Sequence, residues 1–376
     1  MPDNMRLLYF APVPMASYWQ RPHYFVHHMV TNVDAEVLWV DPYPTRLPRL
    51  ADFALLRKAS VARHVPVNRV ATQRAGGLPI EPLAGSELIN QFFWRVAWRR
   101  CEQFCLRGPT VVGVGRPSKL AVRALRTFDA KCRFLDAMDD YPLFYHGISR
   151  RSMSRVERQI ADMVDVVICS APGLKQKFLR MTAGKAAVDV VPNGYDMSRL
   201  PPADACTRRA GAAIGFVGTM GEWFDWDLVV ELARALPEQQ VQLIGPVRSR
   251  APSLPPNVRV SPECTMHEAI EHCRTFAAGL IPFKINALTA SVDPIKFYEL
   301  RALGVPVWTS AFGEMQRRIE GGQAERIEKG MDWRSLWART TRQSPSASDI
   351  AQFREQHDWQ GRFNHAVTLL RSRTRG

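Results

Sequence analysis

The sequence predicts an α/β chain of two domains, each built on a parallel sheet, and three observations carry that prediction. Arg6 to Pro12 (RLLYFAP) reads as a buried strand, a helix follows from about Pro22, and Ala35 to Val40 is a second strand. That spacing is typical of a parallel unit. The alternation restarts with a strand at Ala212 to Val217, after a Pro- and Arg-containing stretch, Arg199 to Gly211, suited to a linker. At 376 residues the chain is long enough for two cores. The expected division is 1–198, a linker 199–211, 212–355, and a final helical segment 356–376.

In the first domain, ligands of an open parallel sheet bind beyond the carboxyl ends of the strands. Gln20, Arg21 and His23, which follow the first strand, are therefore candidates for a cleft. His23, His27 and His28 lack a nearby acid, so histidines on a helix surface explain them better than a metal site. Pro44 to Arg107 holds eleven Lys/Arg against four Asp/Glu, half of the whole excess of 50 − 36 = +14. It includes Leu55-Leu56-Arg57-Lys58 and INQFFWRVAWRRCEQF. The latter fits a helix on anionic lipid, with Phe92, Phe93, Val96 and Trp94 or Trp98 inserted beside Arg95, Arg99 and Arg100. It fits equally a core helix with solvated arginines.

Thr110 to Gly115 is a strand, and Gly113-x-Gly115-x-x-Ser118 with Asp136 partly matches a dinucleotide fingerprint, Ser118 standing at the third glycine. The strand Cys132 to Leu135 ends in Asp136, Asp139 and Asp140, which are either turn acids or a source of a general base. A helix over Arg150 to Met163, a strand over Val164 to Cys169 and a helix from Pro172 follow. Val188 to Asp196 is a strand with a Pro192-Asn193-Gly194 turn.

In the second domain, Gly218-Thr219-Met220-Gly221 is a short glycine loop whose backbone N–H groups can approach a diphosphate. Asp225-x-Asp227 has metal-site spacing but falls where a helix begins, and acids at a helix N-terminus explain it. Strands are expected at Val241 to Ile244 and Val258 to Val260, and Thr265-x-x-Glu268 is a capping box opening a helix that ends near Cys273.

Ala277 to Ser310 is the stretch around which the rest is organised. An apolar run ends in Ile281-Pro282-Phe283, and a polar loop with Lys284, Asn286 and Thr289 follows. Asp293 suits a helix N-cap and Pro294 the first helical position. Gly304 closes that helix, and Val305 to Thr309 resumes a strand. Lys296 lies in the first turn, where the macrodipole disfavours a cation unless an anion shares the site. Glu299, one turn on, can accept two vicinal sugar hydroxyls. Phosphate grip with ribose grip describes a nucleotide site. A plain i,i+3 Lys–Glu surface pair is the alternative.

These residues carry a resemblance. IPFKINALTASVDPIKFYELRALGVPV resembles the donor-binding stretch of GT-B glycosyltransferases of the family-4 bacterial polysaccharide type, with xanthan glucuronosyltransferase more distant. The resemblance implies GT-B architecture, two Rossmann-like domains facing across a cleft. It implies that Lys296 holds the donor diphosphate with the N–H groups near Gly218, Thr219 and Asp293, that Glu299 holds the ribose, and that Pro282 and Phe283 flank the nucleobase. In register with the xanthan enzyme, Asp139 matches the catalytic acid/base. Many family-4 enzymes carry another Glu where this chain has Ser291, a departure that bears on the sugar's own hydroxyls. The last helix is expected to return to the first domain.

The implied activity is transfer from a nucleotide-diphosphate sugar to a saccharide, with a polyprenyl-diphosphate-linked acceptor expected. The donor is a co-substrate, and neither cofactor nor metal is called for. A NAD-dependent enzyme using Gly113, Gly115 and Asp136 is one rival. A basic nucleic-acid binder is another, but no nucleic-acid motif appears.

The +14 charge asks for an acidic partner, here an anionic membrane surface or phosphorylated substrate. No apolar run approaches the ~20 residues that span a bilayer, and no signal-peptide shape opens the chain. Seven cysteines without a C-x-x-C pair read as reduced thiols. The expected setting is cytoplasmic, peripheral on the inner face of the plasma membrane.

Overall fold

A computed structural model describes residues 5–47, 68–206, 213–342 and 345–374. Leu55 to Lys58 and residues 207–211 of the expected linker lie outside the described residues. The chain divides into two compact units, Met1–Pro192 with Arg362–Gly376, and Asn193–Gly361.

The first unit is a seven-stranded parallel sheet, β1 (Arg6–Phe10), β2 (Glu36–Asp41), β3 (Val70–Arg74), β4 (Thr110–Val114), β5 (Cys132–Ala137), β6 (Val166–Cys169) and β7 (Ala187–Val190), in the order 3-2-1-4-5-6-7. β1 and β4 are buried at every residue, which is why they read as continuous apolar runs rather than alternating ones. The order reverses between β1 and β4, and their carboxyl ends form the crevice from which ligand sites in such sheets are built.

Helix α1 (Arg21–Val33) begins one residue before the expected Pro22. Of its histidines only His27 is at the surface. His23 and His28 are buried, against Trp39 at 4.9 Å and Phe363 at 5.8 Å, which corrects the expectation of a histidine-bearing surface. Helix α2 (Ser86–Leu106) resolves its two readings by face. Asn90, Trp94, Ala97, Cys101 and Phe104 are buried at helical spacing, so Trp94 is core. Leu88, Ile89, Phe92, Phe93 and Val96 stand exposed, with Phe92 67% and Val96 71% accessible. Helices α3 (Lys119–Thr127), α4 (Gly147–Ala161) and α5 (Pro172–Thr182) complete the covering layers.

The second unit has six parallel strands, β8 (Ala213–Val217), β9 (Val241–Ile244), β10 (Val258–Ser261), β11 (Phe276–Ile281), β12 (Val307–Thr309) and β13 (Glu325–Arg326), in the order 10-9-8-11-12-13. Its helices are α6 (Trp226–Ala235), α7 (Met266–Arg274), α8 (Ile295–Ala302), α9 (Gly313–Glu320), α10 (Trp333–Arg342) and α11 (Ala347–His357). The capping box of Thr265 and Glu268 opens α7.

Residues 193–198 group with this unit rather than with the first, where the sequence put them. The cause is tertiary pairing: Asn193 donates its backbone N–H to Asp293 Oδ2 (2.8 Å) and its side-chain amide to Asp293 O (2.6 Å). Tyr195 pairs its backbone with His357 and Trp359. Helix α12 (Trp359–Ser372) places Arg362 onward in the first unit, with Phe363 5.4 Å from Phe25.

Candidate active site

At the end of β5 the three acids have different surroundings. Asp136 is buried and paired with Arg21, whose Nε donates to Oδ1 at 3.0 Å, while Tyr9 donates to Oδ2 at 3.3 Å. Arg21 also donates to Val191 O at 2.7 Å. Asp140 is held by Lys177 at 2.8 Å, and that ammonium also bonds the buried Glu157. Asp139 has no hydrogen bond among the described residues. Burial, then the charge of Asp140, pushes its pKa up to about 6, with Asp136 adding to the rise and Arg21 opposing it. Neighbouring carboxylates that are sorted in this way give one group poised near neutrality and two that are spent on structure.

Arg21 and His23 are not presented to a ligand, as the sequence had them. Arg21 is spent on Asp136 and Val191, and His23 Nδ1 accepts from the Gln20 backbone N–H at 3.2 Å. Only Gln20 is exposed.

The partial dinucleotide fingerprint is a packing feature. A Cβ on Gly113 would lie 2.3 Å from the Phe134 ring, and one on Gly115 2.5 Å from the Tyr9 hydroxyl. At the start of α3, where a pyrophosphate would sit, the chain supplies its own acceptors. Glu81 Oε1 accepts from the Lys119 N–H at 3.0 Å and the Tyr43 hydroxyl from Leu120 at 3.3 Å, while Ser118 Oγ takes Ala121 at 3.2 Å. With Asp136 tied to Arg21, the residues of the NAD reading are all otherwise engaged.

In the second unit the loop after β8 meets α8. Gly218 adopts φ +154°, and a Cβ there would sit 3.1 Å from the Phe216 ring and 3.5 Å from Lys296 Cε. Gly245, at φ +134°, lies so close that its Cβ would be 2.2 Å from Gly218 O. Gly218 thus brings bare backbone close to a lysine, and buried Gly245 packs against Gly218 from the next strand end; Gly245 was missed in the sequence because a lone glycine after a strand is unremarkable. Thr219 is half-buried in the same loop. Lys296 pairs with Glu299 at 2.5 Å, with side-chain exposures of 29% and 11%, so this is not a freely solvated surface pair. Burial works against the Lys296 ammonium, but the charge of Glu299 and their hydrogen bond outweigh it and raise its pKa.

Pro282 is buried and half-buried Phe283 packs 5.1 Å from Phe312. Ser310 Oγ fixes the Phe283 carbonyl. Asp293 is not the N-cap of α8; Pro294 occupies that place. The Asp293 carboxylate accepts instead from Asn193 and from the Tyr298 hydroxyl (2.9 Å), bonds that hold it away from the helix end. Asp225 caps α6 through the Leu228 N–H at 3.1 Å and Asp227 pairs with Lys329 at 3.1 Å, so the D-x-D spacing is helix chemistry.

No family model matches the chain. A 171-residue match at 25% identity, covering 42% of this chain and 43% of the relative, is to the "Putative teichuronic acid biosynthesis glycosyltransferase TuaH" of Bacillus subtilis. The match thus spans less than half of that curated relative. Among solved structures, sucrose-phosphate synthase from Thermosynechococcus elongatus aligns over 98% of both chains with a TM-score of 0.66 and 14% identity. Anabaena HepE in complex with UDP aligns over 98% of this chain and 100% of its own, with a TM-score of 0.62 and 12% identity. WaaG, a glycosyltransferase of lipopolysaccharide biosynthesis, aligns over 98% and 99%, with a TM-score of 0.61 and 12% identity. These likenesses show the fold, GT-B with two parallel α/β units.

Proposed function

We propose that the protein is a glycosyltransferase that takes a sugar from a nucleotide-diphosphate donor to a saccharide acceptor. The observation that carries this reading is the close approach of Lys296, one helical turn from Glu299, to the side-chain-free backbone of Gly218. An ammonium beside a glycine loop that lacks a shielding side chain suits a diphosphate. On donor binding Lys296 turns from Glu299 to the phosphates, and Glu299 is released to the ribose hydroxyls. Phe283 supplies an apolar face for the nucleobase. The relatives named above, one solved with UDP and one named for teichuronic acid synthesis, support the same class.

Asp139 removes the proton from the acceptor hydroxyl as its oxygen attacks the anomeric carbon. The departing diphosphate is stabilised by Lys296 and the loop N–H groups, and this scheme calls for no metal. The acceptor is a lipid-linked saccharide of a surface glycan, met at an anionic membrane to which the exposed apolar and basic face of α2 binds. Leu88, Ile89, Phe92 and Val96 supply the apolar contact and Arg95, Arg99 and Arg100 the charge. Among the described residues no helix is long and apolar enough to cross the membrane.

The test is a panel of UDP-, GDP- and dTDP-sugars scored by thermal shift. One or more should stabilise the protein, and Lys296→Ala should reduce the shift. A panel in which none stabilises, or in which Lys296→Ala responds like wild type, removes the donor site from α8.

A further inference from the structure

We propose that Arg116, in the loop after β4, is an anion-binding residue that holds a phosphate group of the acceptor. The word acceptor rests on the transferase reading above; the anion site itself does not. Arg116 lies where the strand order of the first unit reverses, in a crevice it lines with Phe10, Val40, Asp41, Tyr43 and Thr45. Its Nη2 donates to Thr45 Oγ1 at 2.8 Å and to the Tyr145 hydroxyl at 2.9 Å, and those two oxygens are 2.9 Å apart. Its Nε is buried with no partner.

A guanidinium carries five N–H donors, and both bonds made here go to neutral oxygens. No carboxylate among the described residues pairs with it. The nearby acids are committed elsewhere: Asp41 Oδ1 accepts from Met15 N at 2.8 Å and Trp39 Nε1 at 2.9 Å, and Glu81 accepts from Tyr43 and Lys119 N. Glu81 acts on Arg116 through its charge but makes no hydrogen bond to it, so the guanidinium fork stays open to a ligand phosphate, whose geometry it matches. The helix N-terminus beside it is already capped, so the side chain and not the helix supplies the site.

Arg116 and Asp139 stand at the same end of neighbouring strands. Arg116 follows the carboxyl end of β4 and Asp139 that of the adjacent parallel strand β5. The charges of both act on Tyr141, whose pKa burial and Asp139 raise and Arg116 lowers. An anion at Arg116 is therefore on the same rim of the sheet as the proposed base. The enclosed part of the crevice is about 10 Å³, room for roughly one water. The phosphate is taken at its mouth.

The test begins with calorimetric titration of inorganic pyrophosphate into full-length Lys296→Ala protein, in which the donor site is weakened. Adding Arg116→Gln should weaken pyrophosphate at least tenfold and flatten its salt dependence, whereas Arg116→Lys, which keeps the charge, should lose less. Equal pyrophosphate affinity with and without Arg116→Gln would overturn the proposal. Should the Gln variant not fold, Arg116→Lys alone must still weaken pyrophosphate, by about threefold.

Transfer assays on otherwise wild-type protein then compare a prenyl-diphosphate-linked saccharide, a phosphosaccharide and the neutral alkyl glycoside of the same sugar. Arg116→Gln should raise KM about tenfold for one or both charged acceptors, and which one responds identifies the source of the phosphate. A rise of equal size for the neutral glycoside contradicts the proposal. Failure of the donor reading shows separately, as nucleoside-diphosphate affinity that Lys296→Ala does not change.

Discussion

Arg21 and Asp136 form an ion pair of 3.0 Å in which each side chain is only 3% exposed. It joins the start of α1 to the end of β5, and it removes Asp136 from the set of acids free to act on a ligand. Arg21→Met leaves a buried carboxylate uncompensated and should destabilise the first unit by ~3–5 kcal/mol, as breaking a buried pair does. Asp136→Asn added to it should recover part of that loss. Urea unfolding of the three proteins measures both effects; equal stability of Arg21→Met and wild type would mean the pair has no structural role.

Gly245 is required by contact and by dihedral angle. Its Cβ would stand 2.2 Å from Gly218 O at a φ of +134°, so Gly245→Ala must displace the loop that approaches Lys296. The expected result is a loss of more than ~2 kcal/mol in unfolding free energy and weaker nucleotide binding together. Nucleotide affinity unchanged in a folded Gly245→Ala protein would separate this loop from the donor.

Glu299→Gln and Lys296→Ala should each fold. Each should bind free nucleoside diphosphate about tenfold or more weakly, the scale of one hydrogen bond to a charged group at ~1.5–3 kcal/mol. Equilibrium dialysis with labelled nucleotide decides it, and wild-type affinity in both variants would leave only the pairing of the two residues with each other.

The exposed face of α2 predicts binding to anionic vesicles that weakens with salt, since exposed charges are screened over roughly 8 Å at physiological ionic strength. Replacing Arg95, Arg99 and Arg100 with Gln, or Phe92 and Val96 with Ser, should reduce co-sedimentation with such vesicles. All five side chains point away from the core, so melting temperatures should hardly move. Unchanged sedimentation in both variants would leave this face without a lipid partner.

Much of the fold was legible because buried parallel strands are written as short apolar runs between turn residues. Ala277 to Ser310 was legible for the same reason, and Gly304 closes α8 at φ +69° as its place in the sequence implied. What could not be read was long-range pairing. Nothing local marks Asn193 as the partner of Asp293, one hundred residues on, or Glu81 as the cap of α3. Asp293 looked like an N-cap because N-cap preference is local, whereas its actual bonds to Asn193 and Tyr298 are tertiary. Helix α2 could not be oriented from composition, since aromatics occupy both of its faces and only the sheet beneath decides which is buried.

The titration of Asp139 gives a prediction with a definite sign. A carboxyl whose folded pKa is raised to about 6 disfavours the folded state as pH rises above its unfolded value, and the cost is complete above the folded one. Asp139→Asn should therefore stabilise the protein at pH 8 by ~1–2 kcal/mol, allowing for partial solvent screening, and by almost nothing at pH 3. Melting curves at the two pH values test this; an equal effect at both would place the Asp139 pKa in the ordinary range.

The most direct measurement is nucleoside-diphosphate release with donor and acceptor present, for wild type and Asp139→Asn, beside donor affinity on the same preparations. The substitution keeps shape and removes basicity, so donor affinity should stay the same while turnover falls by about 10²–10⁴. The wild-type rate should itself decline as pH drops through about 6, where Asp139 takes up its proton. Near-wild-type turnover in Asp139→Asn would contradict the assignment, and loss confined to an Asp140 or Asp136 variant would move the base to that residue.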